Sequence, residues 1–135
     1  MTTTTTLPWT DAVRRFIDDP ARFAILSTLA EDGVPAQAVA WYAVRDEGIL
    51  VNSLVGRRWP ANLERHPECS LMVEDGYRYV VISGRAEIIA TGAPALADIQ
   101  ALARRYGTDP GSFEGQPRIS FLIHPERVGT HGGIA

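Results

Sequence analysis

Residues 23–53 read FAILSTLAEDGVPAQAVAWYAVRDEGILVNS, and the alternation within them decides the fold. Phe23–Leu29 is rich in residues that suit a pleated, half-buried surface, and Asp32-Gly33 is a hairpin dipeptide. Pro35–Val44 sets Gln37, Val39 and Trp41 against Ala38, Ala40 and Tyr42, the two-residue period of a strand. Arg45–Gly48 turns the chain again, and Ile49–Ser53 forms the third strand. Three antiparallel strands on short links read as a meander.

The next residues, Asn52–Pro67, read NSLVGRRWPANLERHP. A strand ends at Asn52-Ser53, Gly56 lies in a short loop, and Arg57 and Arg58 stand where a helix begins. That helix is expected from about Arg58 to Arg65, with Pro60 tolerated in its first turn and His66-Pro67 ending it. A helix start presents unpaired N–H groups and the positive end of its dipole, and two arginine forks match phosphate oxygens. The stretch is either a phosphate cradle or a basic loop leading into a surface helix, and spacing alone leaves both open. Ser53, at the strand end, is placed to donate to such a phosphate.

Outward from there, Trp9, Val13, Phe16 and Ile17 make one apolar helical stripe after Pro8, stopped by Asp18-Asp19-Pro20. Thr2–Thr6 is low-complexity, so residues 1–7 are expected to be a disordered tail and the single domain to run over residues 8–135. Cys69–Glu74 and Tyr77–Ile89 are strands joined at Asp75-Gly76. In the second of these, Val80, Ile82, Gly84, Ala86 and Ile88 share one face. Pro94–Tyr106 is a helix, Arg118–Ile123 a last strand, and the glycine-rich tail from His124 has no periodicity. Six strands with short links and a few helices read as a small antiparallel barrel with peripheral helices.

Composition narrows the chemistry. The 135 residues are 45% hydrophobic and 21% charged, which suits one domain with a real core. The net charge of -3 argues against a nucleic-acid binder working through a general basic field. All 13 basic residues are arginine, so Schiff-base chemistry, a lysine base and a Walker-type lysine are excluded. The single cysteine, Cys69, excludes an intrachain disulfide and reads as a small buried hydrophobe. No apolar run reaches membrane-span length and no signal-peptide pattern opens the chain, so a cytoplasmic protein without membrane partners is expected. His66, His124 and His131 lack metal-ligand spacing, and neither a G-x-S-x-G elbow nor a G-x-G-x-x-G turn is present. Trp41, Tyr42, Trp59, Tyr77 and Tyr79 are either core residues or the walls of a flat slot beside a phosphate site.

Together, RFAILSTLAEDGVPAQAVAWYAV, ILVNSLVGRRWPANLERHPECSLMV, YRYVVISGRAEII and IHPERV resemble the pyridoxamine-5′-phosphate-oxidase-like split β-barrel superfamily. Within it the chain is similar to the flavin/deazaflavin oxidoreductase group, the probable F420-dependent enzymes. The likeness spans about Ala12 to Val128, and its most specific part is R-x-x-A-N-L-x-R-x-P at Arg58–Pro67. It implies a six-stranded split barrel of the FMN-binding type, a homodimer, and cofactor sites at the subunit interface. It further implies an F420 cofactor, or alternatively FMN, with the ring against Gln37, Ala38, Val39, Val51, Asn52 and Ser53. The phosphate would meet Arg57 and Arg58 beside Trp59 and Asn62, and Arg65 is a further candidate for an acidic cofactor tail. Tyr77 would close the neighbouring subunit's site and is a possible proton donor. Many relatives carry a lysine where Trp59 stands, so this position is a departure. The implied activity is hydride transfer to a small unsaturated or aromatic substrate; the alternatives are an FMN oxidase or reductase, or a non-catalytic cofactor-binding dimer.

Overall fold

The computed structural model describes residues 7–18 and 21–134. Residues 1–6 of the expected tail at 1–7, and the Asp19-Pro20 stop, lie outside the described residues. The chain runs α1 (Asp11–Asp18), β1 (Ala24–Leu29), β2 (Pro35–Ala40), β3 (Ala43–Arg45), β4 (Gly48–Leu54), α2 (Arg58–Arg65), β5 (Glu68–Asp75), β6 (Arg78–Thr91), α3 (Gly92–Arg105), a 3-10 turn at Pro110–Phe113, and β7 (Arg118–His131). All ladders are antiparallel, and the strands lie in the order β2-β1-β5-β6-β7-β4-β3.

This order explains the closure. The two outermost strands, β2 and β3, are consecutive in sequence and separated only by Trp41-Tyr42. A seven-stranded sheet whose edges are tied by two residues must curl on itself, yet β2 and β3 share no ladder. The result is a barrel with a slit, a split β-barrel.

The expected strand Pro35–Val44 is therefore two strands, and the count rises from six to seven. Trp41 and Tyr42 break it because both rings are claimed elsewhere. Trp41 stacks on Tyr106 with centroids 5.0 Å apart, and Tyr42 is fully buried with its hydroxyl donating to the Ile17 carbonyl. The Tyr42 amide donates to the Tyr106 hydroxyl at 3.3 Å. The meander is corrected too: β2 pairs with β1 and β3 with β4, but β2 does not pair with β4.

The helices form where periodicity places them, with α2 at Arg58–Arg65 as expected. Helix α1 starts at Asp11 rather than at Pro8, where Thr10 Oγ1 accepts the Val13 amide at 3.1 Å. The tail from His124 is not irregular: β7 continues to His131, laddered against β6 along its length. Glycine and proline hid that strand, because the long β6 partner supplies its pairing. Ile88 leaves the predicted inner face and is 49% exposed, since the register shifts between Ile88 and Ala90.

The core fills the barrel with Ile17, Leu26, Ile49, Val51, Leu71, Ile82, Phe121 and Ile123, all at most 1% exposed. Strand β4 is covered on both sides. Ile49 and Val51 face this core, whereas Leu50 meets Ile99 and Leu102 of α3. Its uninterrupted apolar run follows from that double burial.

Candidate functional site

The slit between the ends of β2 and β4 opens into two adjoining grooves. One, of about 270 Å³, runs between Val39, Ala40 and Trp41 on one side and Asn52, Ser53 and Leu54 on the other, with Phe113 and Arg118 at its end. The second, of about 280 Å³, is lined by Thr28, Ala36, Gln37, Ala38 and Val39 with Arg58 and Asn62. Val39, Arg57 and Trp59 line both. The larger depression of about 850 Å³ beyond α2 carries Glu31 and Asp32 opposite Arg58 and Arg65 and has no aromatic wall, so it reads as solvated surface.

Helix α2 brings Arg57, Arg58 and Trp59 to this place. Gly56 adopts φ 92°, a left-handed conformation that favours glycine, and turns the chain out of β4. Arg57 is the N-cap residue, and no side chain caps the helix. Its first N–H groups are left for solvent or an anion. The Trp59 ring leans on Phe121 at 6.0 Å and 49°, one side in the core and the other in the grooves.

The sequence-expected residues divide into three groups. Gln37, Ala38, Val39, Ser53, Arg57, Arg58 and Trp59 are assembled along the two grooves. Ser53 is 4% exposed and its hydroxyl has no hydrogen-bond partner among the described residues. Asn52 and Asn62 also line the grooves, but their amides are committed to the fold. Asn52 Nδ2 donates to Ala95 O at 2.9 Å and to Ser120 Oγ at 2.8 Å, and its Oδ1 accepts from Arg118 Nε at 2.9 Å. Asn62 Nδ2 donates to Thr28 Oγ1 at 3.0 Å and its Oδ1 accepts from Arg65 Nη2 at 2.8 Å, tying α2 to β1. Val51 and Tyr77 line neither groove of their own chain. The Val51 side chain lies in the core, and Tyr77 is 88% exposed at the β5–β6 tip.

Arg118 escaped the sequence reading. It starts β7 opposite Leu54, 7% exposed, with Nη1 donating to Gln116 Oε1 at 3.0 Å and the guanidinium 5.4 Å from the Phe113 ring centre. Burial lowers its pKa, and the Arg57 charge nearby lowers it further. The legible signal was a pair of polar interruptions, Asn52 in ILVNSL and Ser120 after Arg118 in RISFLI. Ser120 Oγ donates onward to Asp98 Oδ2 at 2.7 Å, and Asp98 Oδ1 pairs with Arg45 Nη2 at 3.1 Å. A continuous polar chain thus lies between β4, β7 and α3.

The histidines stand apart from both grooves. His124 pairs with Glu87 at 2.9 Å, and His131 stacks on Tyr79 at 5.1 Å. Among the described residues no group of His, Cys, Asp and Glu is arranged to hold a metal, and no helix is long and apolar enough to cross a membrane.

Topology and slit define a split-barrel protein. A family model described as pyridoxamine 5′-phosphate oxidase matches residues 9–132, and the chain belongs to that family. No curated protein matches the sequence. Among solved structures, an F420 reductase is 22% identical over 90% of this chain and 98% of its own, with a TM-score of 0.77. The conserved hypothetical protein Rv2991 from Mycobacterium tuberculosis is 24% identical over 97% of this chain and 89% of its own, also at 0.77. HutZ, the heme storage protein from Vibrio cholerae, is 20% identical over 89% of this chain and 92% of its own, at 0.72. At these identities the structures establish the shared fold.

Proposed function

We propose that this chain is an oxidoreductase that binds a deazaflavin, F420, or in the alternative FMN, and transfers hydride to a small unsaturated or aromatic substrate. One observation carries the reading: an apolar and aromatic slit between β2 and β4 ends at an uncapped helix start bearing Arg57 and Arg58. Val39, Ala40, Leu54 and Trp59 supply flat apolar walls for a ring, and Arg57, Arg58 and the α2 amides supply donors for a phosphate. When bound, such a group supplies the hydride chemistry itself. The protein's share is to orient ring and substrate and to exclude water. That division agrees with grooves lined by neither a nucleophile–base pair nor a carboxylate dyad.

A homodimer belongs to the same proposal. The slit lies open on the surface with Val39 69% exposed, and Tyr77 stands 88% exposed on a hairpin remote from it. A second copy would cover the first and give the second a site to close. Light scattering of the purified protein tests this, with a dimer mass expected.

The alternative is a cofactor-binding dimer without turnover, consistent with the heme storage role of HutZ, a protein of the same fold. Heme itself suits these grooves poorly, because none of their lining residues is His, Cys or Met. Titration with F420 and FMN, then oxidation of the reduced cofactor with a substrate panel, separates the readings. Binding with turnover supports the enzyme, binding without turnover supports the non-catalytic dimer, and binding of neither cofactor removes both. Arg57→Ala combined with Arg58→Ala is expected to weaken cofactor binding by roughly tenfold or more, since charge-assisted bonds to phosphate are among the strong ones.

A further inference from the structure

Among the described residues Arg118 is the only charged side chain that is buried. Its recorded hydrogen bonds go to neutral amides, Asn52 Oδ1 at 2.9 Å and Gln116 Oε1 at 3.0 Å. The carboxylate at the far end of the polar chain, Asp98, is already taken by Arg45 and Ser120. No carboxylate is within ion-pair distance of Arg118 among the described residues. A buried cation without a counter-charge is costly, and the fold adds a second cation, Arg57, to the same groove. Burial lowers the Arg118 pKa, and the neighbouring Arg57 charge adds to that lowering. A guanidinium carries five N–H donors in a fixed fork, and only two bonds are recorded here, which leaves donors for a ligand in the groove it lines. The Ser53 hydroxyl, also lining this groove, lacks a partner among the described residues.

We propose that the groove on the Phe113 side of Trp59 is an oxyanion subsite, with Arg118 and Arg57 as its two cationic donors and Ser53 beside them. Its ligand is a phosphate or a carboxylate. The subsite rests on the functional reading above and deepens it: Arg57, Ser53 and the groove walls are common to both, and Arg118 is what it adds. Two guanidinium groups converging on one groove give a bidentate, charge-neutralising receptor that a neutral ligand would not need. The oxyanion has two possible sources, the cofactor's own phosphate or an anionic group on the substrate.

The test uses the full chain, without cofactor, as wild type, Arg57→Gln and Gln116→Glu. Gln116→Glu is nearly isosteric and places a carboxylate on Arg118 from within, so it satisfies the charge without emptying the site. Inorganic phosphate and benzoate are titrated while tryptophan fluorescence and thermal unfolding are followed. The expected result is that at least one of the anions binds wild type and raises its Tm. Its Kd is weakened by roughly tenfold or more in both variants, and Gln116→Glu has a raised Tm before any anion is added. Equal anion binding by all three proteins, or none by wild type, overturns the subsite. The source is then read by comparing FMN with riboflavin. Loss of the FMN advantage in Gln116→Glu assigns the oxyanion to the cofactor. Unchanged FMN affinity with weakened benzoate binding to the FMN-loaded protein assigns it to the substrate. Anion binding that persists where neither F420 nor FMN binds upholds the subsite and removes the proposed function alone.

Discussion

Asn52 holds Arg118 in place: its Oδ1 accepts the Arg118 Nε–H at 2.9 Å while its Nδ2 bridges Ala95 O and Ser120 Oγ. One side chain thus joins β4 to α3 and β7 at the floor of the candidate site. Asn52→Ala would strand a guanidinium N–H and a carbonyl at once. We expect a loss of about 2–4 kcal/mol, because each buried group left unsatisfied costs about 1–3 kcal/mol. Urea denaturation measures it, and a loss below about 1 kcal/mol would show that water replaces the amide without penalty.

Asn62 does the equivalent work for α2, linking Thr28 of β1 to Arg65 across the helix end. Asn62→Ala and Thr28→Val should each destabilise, and a double-mutant cycle should return a coupling of about 0.5–3 kcal/mol. Additive effects would mean that the two side chains are anchored separately. The helix start carries Arg57 and Arg58, so the same variants should also weaken any ligand held there.

Helix α2 was legible because Pro60, His66 and Pro67 punctuate a short amphipathic run, and punctuation is local. The slit was not. It depends on Trp41 and Tyr42 leaving the strand pattern for partners at Tyr106 and Ile17, 65 residues downstream and 25 upstream (106 less 41, 42 less 17). Nothing in the alternation of Pro35–Val44 registers those contacts. Arg118 was hidden for a similar reason, since a lone arginine at a strand start gives no sign that Asn52, 66 residues earlier, will bury it. The groove-lining residues Gln37–Val39 and Arg57–Trp59 were named through family resemblance. Their own spacing supported only an anion cradle.

Gly84 is a test of the barrel itself. A Cβ at this position would lie 2.0 Å from the His124 carbonyl oxygen, a backbone atom that cannot swing aside. The register shift between Ser83 and Gly84 brings β7 this close. Gly84→Ala should therefore cost about 1–3 kcal/mol or more, the range for overpacking a well-filled interior. Gly76→Ala, at an open turn with φ 64°, should cost only about 1 kcal/mol from its backbone conformation. Thermal melts of the pair measure the difference, and equal losses would refute the close approach.

Cys69 links the core to alkaline pH. Burial pushes its thiol from the ordinary 9.0 up to about 12, with Glu68 and Glu126 adding to the rise. The neutral thiol is the form that the fold holds. The unfolded chain loses the proton first as pH rises, so this contribution is full below pH 9 and disappears between about 9 and 12. Across that window the slope approaches about 1.4 kcal/mol per pH unit for one group. Cys69→Ala should show a shallower alkaline loss than wild type, with Tyr42 and Tyr106, both raised mainly by burial, contributing equally to the two proteins. Parallel stability curves from pH 8.5 to 11 would mean that the thiol ionises freely in the folded state.

Trp59 separates stability from binding. Its ring is half-buried, leaning on Phe121 at 6.0 Å, and forms the wall shared by the two grooves. Trp59→Ala should cost about 1–3 kcal/mol, less than a fully buried tryptophan because one side already meets solvent. Trp59→Phe keeps an aromatic face and should lose about half as much. If the exposed side of the ring stacks on a cofactor, Trp59→Ala should also weaken FMN or F420 binding about two- to tenfold, the scale of one aromatic pair, while Trp59→Phe stays near wild type. Trp59→Lys adds a third cation beside Arg57 and Arg118. It should bind phosphate more tightly than wild type while losing the stacking contribution. Fluorescence titration of the four proteins measures both effects. Equal cofactor affinity for Trp59→Ala and wild type would reduce this residue to a packing role against Phe121.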